Sequence, residues 1–255
     1  MFAEERYRQI SNLVSADGRV TVSGLSSRFG ITKETVRRDL ALLENDGILR
    51  RVHGGAIAGS GPTTEEPSLS SRASRHSPEK KRIARAALSL APAAGAVVLD
   101  AGSTTGALAE LLVEESRAGL LVVTHSVPIA ALISGAELGV ELVGGRVRAL
   151  TSAAVGSSTA AHFARLRTDI AFVGANGLAA GFGLSTPDAD EAAVKTAIVR
   201  SARRVVLLID SSKFDEETLV SFAHLEDIDV LVTDRAPGHP LATALSDADV
   251  EVIVA

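Results

Sequence analysis

The 255-residue chain has no cysteine and no tryptophan, one methionine and one tyrosine. Without cysteine it can build no disulfide framework, no thiolate metal site and no cysteine nucleophile. Long apolar runs are missing as well. Stretches such as Ala96–Leu99 and Leu120–Val123 fall far short of the roughly 20 residues that cross a bilayer, so no membrane partner is expected. The opening Met1-Phe2-Ala3-Glu4-Glu5-Arg6 is charged and lacks the hydrophobic core of a secretory signal. These absences predict a soluble cytoplasmic protein. What is present is 46% hydrophobic residues, enough for a sizeable core, which excludes disordered and fibrous classes.

The net charge of −5 would argue against a polyanion partner if it were spread evenly. It is not. Residues 1–85 hold 15 Lys and Arg against 10 Asp and Glu, a net of +5; residues 86–255 hold 11 against 21, a net of −10. This asymmetry predicts two modules, one of which can face a polyanion. Between them, Gly59-Ser60-Gly61-Pro62-Thr63-Thr64-Glu65-Glu66-Pro67-Ser68 has the composition of a linker. The expected division is a first domain over 1–58, a linker over 59–77 and a second domain over 78–255. In the second domain short β-branched runs alternate with Ala-rich segments of helical period. The runs are Ala96–Leu99, Leu120–Val123, Val140–Val143, Ile170–Val173, Val205–Ile209, Val230–Thr233 and Val250–Val254. That alternation predicts an α/β fold with βαβ units and a mostly parallel sheet.

In the amino-terminal part, residues 3–16 read as a helix with Tyr7, Ile10, Leu13 and Val14 on one face. A second helical segment begins at Val20, with Val22, Leu25 and Phe29 in phase. Gly30 then supplies the left-handed turn a helix end needs. Thr32 is placed to N-cap a third helix running to about Asn45. Val36, Leu40 and Leu43 would face inward, and Glu34, Arg37, Arg38 and Ala41 outward. Short helices joined by a glycine turn, with a cationic outer face, meet the requirement of a helix-turn-helix. An arginine fork can grip guanine or phosphate through two hydrogen bonds. Ile48 to Ala56 reads as two short strands of a wing that would bring Arg50 and Arg51 toward phosphates. A plain three-helix bundle with solvated arginines fits the same pattern.

The run Thr32-Lys33-Glu34-Thr35-Val36-Arg37-Arg38-Asp39-Leu40, followed by Leu43-Glu44-Asn45-Asp46-Gly47-Ile48-Leu49-Arg50-Arg51-Val52-His53-Gly54-Gly55-Ala56, resembles the signature of the DeoR family of bacterial transcriptional regulators. The resemblance implies a winged helix-turn-helix that binds a double-stranded DNA operator through Thr32, Lys33, Glu34, Thr35, Arg37, Arg38, Arg50, Arg51 and His53. It also implies a carboxy-terminal effector domain that senses phosphorylated sugars or related metabolites. That domain would resemble ribose-5-phosphate isomerase in fold.

Three constellations stand at the carboxyl ends of expected strands, where open α/β sheets collect ligand groups. In Leu99-Asp100-Ala101-Gly102-Ser103-Thr104-Thr105-Gly106, a strand meets a helix through small residues, and free N–H groups there suit an anion. A tight turn explains the same residues. The second is Gly174-Ala175-Asn176-Gly177, with Asp188, Asp190, Glu191 and Lys195 opening a later helix. Glu191 and Lys195, four apart, also fit a surface ion pair. The third is Ile209-Asp210-Ser211-Ser212-Lys213-Phe214. By the resemblance, Gly102, Ser103, Thr104 and Thr105 cradle a phosphate. Asp100, Gly144, Gly145, Asn176, Gly177, Glu191, Lys195, Asp210 and Lys213 line the effector pocket. His125 stands where the family has an asparagine and would join that pocket. The expected function is a repressor of sugar-metabolism genes whose operator binding a phosphorylated sugar relieves; no cofactor and no metal are expected, and a homo-oligomer is. The alternative is an isomerase-like enzyme with Glu191 as general base and Lys195 and Lys213 as charge stabilisers. Asn176, where the isomerase has carboxylates, counts against it.

Overall fold

The computed structural model describes residues 3–45, 49–52, 54–58, 63–64 and 66–255. The chain divides into two compact units, 1–65 and 66–255. The first contains α1 (Ala3–Asp17), β1 (Arg19–Thr21), α2 (Val22–Phe29), α3 (Lys33–Asn45), β2 (Leu49–Val52) and β3 (Gly55–Ala58). The apolar stripes legible in the sequence meet in one core, where Ile10, Val14, Leu25, Val36, Leu40 and Leu43 are all buried. Gly30 ends α2 at φ 64°, and Thr32 Oγ1 accepts the Thr35 N–H at 3.2 Å at the start of α3.

The second helix begins later than its apolar phase suggests. Arg19–Thr21 is a strand, antiparallel to β3 in a sheet ordered β1-β3-β2. Thr21 is extended and its side chain accepts the Gly24 N–H, so the helix can start only after it. Gly55 admits this pairing because a Cβ there would lie 2.0 Å from the Val20 carbonyl oxygen.

The second unit begins with α4 (Leu69–Ser74) and α5 (Ser77–Leu88). Residues 66–77, expected as part of the linker, therefore belong to the folded unit. Ser68 caps α4, and the Leu69 N–H donates to the Leu150 carbonyl at 2.9 Å. Of the rest of the expected linker, 59–62 and 65 lie outside the described residues. The chain continues through β4 (Ala94–Leu99), α6 (Ser103–Glu114), β5 (Gly119–Thr124), α7 (Val127–Ile133), β6 (Gly139–Leu142), β7 (Arg146–Arg148), β8 (Ala153–Val155) and α8 (Ser157–Phe163). Next come β9 (Ile170–Val173), β10 (Gly177–Ala179), β11 (Gly183–Thr186), α9 (Ala189–Ser201), β12 (Val205–Leu208), β13 (Val220–Ala223), β14 (Val230–Thr233), α10 (Leu241–Asp247) and β15 (Glu251–Val254).

The seven apolar runs form one parallel sheet ordered β15-β14-β12-β9-β4-β5-β6. Successive side chains point to opposite faces. Val97 and Leu99 therefore join a core with α5, α6 and α7, while Val98 joins another with α8, α9 and α10. Two small antiparallel sheets, β10-β11-β13 and β7-β8, lack such runs. The chain winds outward from β4 through β5 to β6, then returns to place β9 on the other side of β4. That reversal opens a crevice beyond the carboxyl ends of β4 and β9.

Candidate functional site

In the first unit, Lys33, Glu34, Arg37 and Arg38 are exposed on α3 while Val36, Asp39 and Leu40 are buried. One helix face thus packs and the other presents cations. Asp39 accepts two hydrogen bonds from Arg6, at 2.6 and 3.0 Å, which fixes α1 to α3. That bond raises the Arg6 pKa. Thr32 is exposed and Thr35 half-buried; their hydroxyls lie 2.9 Å apart. On the wing strand, Arg51 pairs with Glu44 at 2.6 Å. His53 and the Arg50 side chain lie outside the described residues.

In the second unit the crevice holds a buried charge cluster. Asp100, just past β4, is fully buried. It accepts the Gly174 N–H from beyond β9 at 2.9 Å and a hydrogen bond from Lys195 of α9. His125 Nε2 lies 3.0 Å from its Oδ1. Burial pushes the Asp100 carboxyl up, but Lys195 and then His125 outweigh it and hold it well below the usual carboxylate range. Lys195 also donates to the Gly174 carbonyl at 3.0 Å and sits 5.4 Å from the Phe222 ring centroid. His125 Nδ1 is 2.8 Å from the Ala154 carbonyl and so donates to it. Nε2 either donates to Asp100 or accepts the Ala101 N–H, 3.2 Å away, and cannot do both.

Beside it lies a second cluster. Arg148 of β7 contacts Glu66 at 2.5 Å, Asp188 at 3.1 Å and Glu191 at 3.3 Å. Burial lowers the Arg148 pKa, but Glu66 above all, then Glu191 and Asp188, raise it on balance. Thr151 donates to Glu191 at 2.5 Å. Arg72 and Asn176 each approach the other Glu66 oxygen at 3.3 Å. Glu191 and Lys195 are therefore not a surface pair: both are buried, and each serves a different cluster.

The other expected residues divide by what their atoms touch. Gly102 precedes α6, and Ser103 and Thr104 open it. The Thr105 hydroxyl is buried and donates to the Asp100 and Gly102 carbonyls at 2.7 and 3.1 Å, so it closes the turn. Gly144 accepts from Thr159 at 2.9 Å, and a Cβ on Gly145 would meet that same hydroxyl at 2.1 Å. Gly177 lies against backbone, where a Cβ would sit 2.2 Å from the Glu216 carbonyl oxygen. Asp210 is buried, bonds Ser212, and lies 3.9 Å from Lys80. Lys213 is half-buried at the end of the adjoining turn. Sequence reasoning missed Glu66, Arg72, Lys80 and Arg148. Lys80 donates to the Arg72 and Arg75 carbonyls at 2.6 and 2.5 Å; burial lowers its pKa, with Asp210 opposing. Among the described residues no His, Cys, Asp and Glu grouping suits a metal ion, and no helix is long and apolar enough to cross a membrane.

Residues 6–60 match the model of the DeoR-like helix-turn-helix domain, and residues 75–235 that of the DeoR C terminal sensor domain. The chain is 35% identical over 257 residues to the HTH-type transcriptional regulator GlpR of Haloferax volcanii, covering 99% of this chain and 98% of that protein. It is 28% identical over 249 residues to the Glycerol-3-phosphate regulon repressor of Escherichia coli, covering 97% of each. Among solved structures, ribose 5-phosphate isomerase A from Methanocaldococcus jannaschii aligns over 53% of each chain at 19% identity, with a TM-score of 0.40.

Proposed function

This chain belongs to the DeoR family of transcriptional regulators, and we propose that it is a repressor released from its operator by a phosphorylated sugar. The reading is carried by one observation: the sensor unit gathers buried cations, anions and amide groups at the crevice between β4 and β9. Phosphate needs cations and N–H donors, and hydroxyls need carboxylates and amides. Gly102, Ser103 and Thr104, with the start of α6, supply the N–H groups. Asn176, Glu191, Lys195, Asp210 and Lys213 supply polar side chains. The operator is read by the exposed face of α3, with Arg37 and Arg38 toward bases and the wing toward phosphates.

The mechanism is linkage. A ligand that favours the arrangement unable to hold DNA lowers operator affinity by its differential affinity for the two arrangements. A relative that is named for glycerol 3-phosphate makes phosphorylated polyols the first candidates. We further propose a cytoplasmic homo-oligomer, matching the paired half-sites that helix-turn-helix proteins bind. Exposed Leu121, Leu132, Leu142 and Val147 near one edge of the large sheet support it.

The enzymatic alternative finds less support. Glu191, its general base, already accepts from Thr151 and Arg148, and Lys195 is committed to Asp100. The test is operator binding by fluorescence anisotropy, with and without a panel of phosphorylated sugars. Release by one of them is expected; unchanged binding with all of them would refute the effector claim.

A further inference from the structure

Glu66 is the first residue of the second unit, and the chain toward the winged helix leaves from it. Its side chain is 0% exposed, which is unusual for a carboxylate beside a segment of linker composition. One oxygen meets Arg148; the other meets Arg72 and Asn176. Two guanidinium groups and an amide converging on one carboxylate are the donor set of an oxyanion site. The set is larger than its occupant. Nε and Nη2 of Arg72 are buried and find no acceptor among the described residues. A carboxylate has two oxygens to offer; a phosphoryl group has three and a second charge. Glu191 and Asp188, on Arg148, place two further carboxylates beside the set.

We propose that Arg72, Arg148 and Asn176 form an anion seat that Glu66 fills as a tethered stand-in and that receives the effector's phosphoryl group when Glu66 withdraws. This rests on the sugar-phosphate reading above and moves the phosphate's seat from the start of α6 to these three side chains. It also supplies the coupling. α4 is held by the Leu69–Leu150 hydrogen bond, by Lys80 at the Arg72 and Arg75 carbonyls, and by Glu66 itself. Expelling Glu66 removes one of those anchors at the point where the chain departs for the DNA-binding unit.

The probe is inorganic phosphate, titrated calorimetrically into the full chain without DNA. Glu66→Gln keeps the shape and removes the competing charge. It is expected to bind phosphate about tenfold more tightly than wild type, the gain when a competitor holds a site about nine-tenths of the time. Adding Arg72→Gln or Arg148→Gln to it should abolish the gain. Equal affinity in wild type and Glu66→Gln, or a gain that survives both arginine changes, overturns the proposal. Wild type gives an independent reading should Glu66→Gln fold poorly. High phosphate, against chloride of equal ionic strength, should speed hydrogen exchange at the Leu69 and Arg72 amides; unchanged protection overturns the seat. The two proposals fail separately. Tighter phosphate binding by Glu66→Gln with no sugar phosphate releasing the operator keeps the seat and sinks the regulatory reading. Operator release at the same sugar-phosphate concentration in wild type and Glu66→Gln does the reverse.

Discussion

Replacing Asp100 by asparagine keeps the volume of the side chain and removes the charge that Lys195 requires. Both side chains are almost wholly buried, at 0% and 5% exposure, so water cannot take over the lost pairing. Breaking a buried pair by removing one partner costs about 3–5 kcal/mol, because the remaining charge is left uncompensated. For a unit the size of 66–255, each kcal/mol moves the melting temperature by about 2–4 °C, so a fall of about 6–20 °C is expected. Scanning calorimetry of the full chain resolves this as a shift of the transition belonging to the larger unit. Adding Lys195→Met should recover part of the loss, since the cation that needed Asp100 is then gone. The pH dependence has a definite sign. Asp100 is depressed in the folded state, so its stabilisation is full above the ordinary carboxylate value of about 4 and fades as pH falls toward the folded one. The gap between wild type and Asp100→Asn should therefore narrow below pH about 4. A melting temperature within about 2 °C of wild type at neutral pH, less than one kcal/mol for this size, would refute the reasoning.

Arg38→Ala should lower operator affinity by about 1–3 kcal/mol and relax the preference at one base pair, whereas Arg51→Ala should weaken all sequences alike and flatten the salt slope by about one; anisotropy titrations at several salt concentrations separate the two. Asp39→Ala leaves the Arg6 guanidinium without its bidentate partner and should destabilise the first unit by about 3 kcal/mol, seen as faster amide exchange in α1. Gly177→Ala places a methyl 2.2 Å from the Glu216 carbonyl oxygen and should cost about 1–3 kcal/mol through overpacking; urea unfolding measures it.

The seven strands of the large sheet were legible as β-branched runs: the inner strands β9, β12 and β14 are buried on both faces and read as continuous apolar stretches, and the edge strands β6 and β15 still carry β-branched residues although they are largely exposed. The small sheets were not. Gly177 and Gly183 carry no apolar side chain to reveal β10 and β11, and Ser185, Thr186 and Ser221 interrupt the apolar sequence of β11 and β13. Helix α3 announced itself by its period and its cap, while β1 was hidden because Val20 and Val22 continue a helical phase that Thr21 interrupts. At the site, spacing within one element misled. Glu191 and Lys195 lie one turn apart yet serve different clusters, because their partners come from β7, from the segment before β8 and from the loop after β4. Glu66 could not be found at all from local pattern: its partners lie at Arg72, Arg148 and Asn176, and only the folded chain assembles them. Thr105 shows the opposite case, a hydroxyl in a promising loop that the backbone itself consumes.

The central claim is that effector and operator compete through one conformational equilibrium. The most direct measurement is the affinity of the releasing sugar phosphate for the free protein and for the protein saturated with operator. Linkage requires both ligands to weaken one another by the same factor. Sugar-phosphate binding should be weaker in the operator complex, by the factor that the sugar phosphate imposes on operator binding. Equal affinity for the free and the operator-bound protein would contradict it.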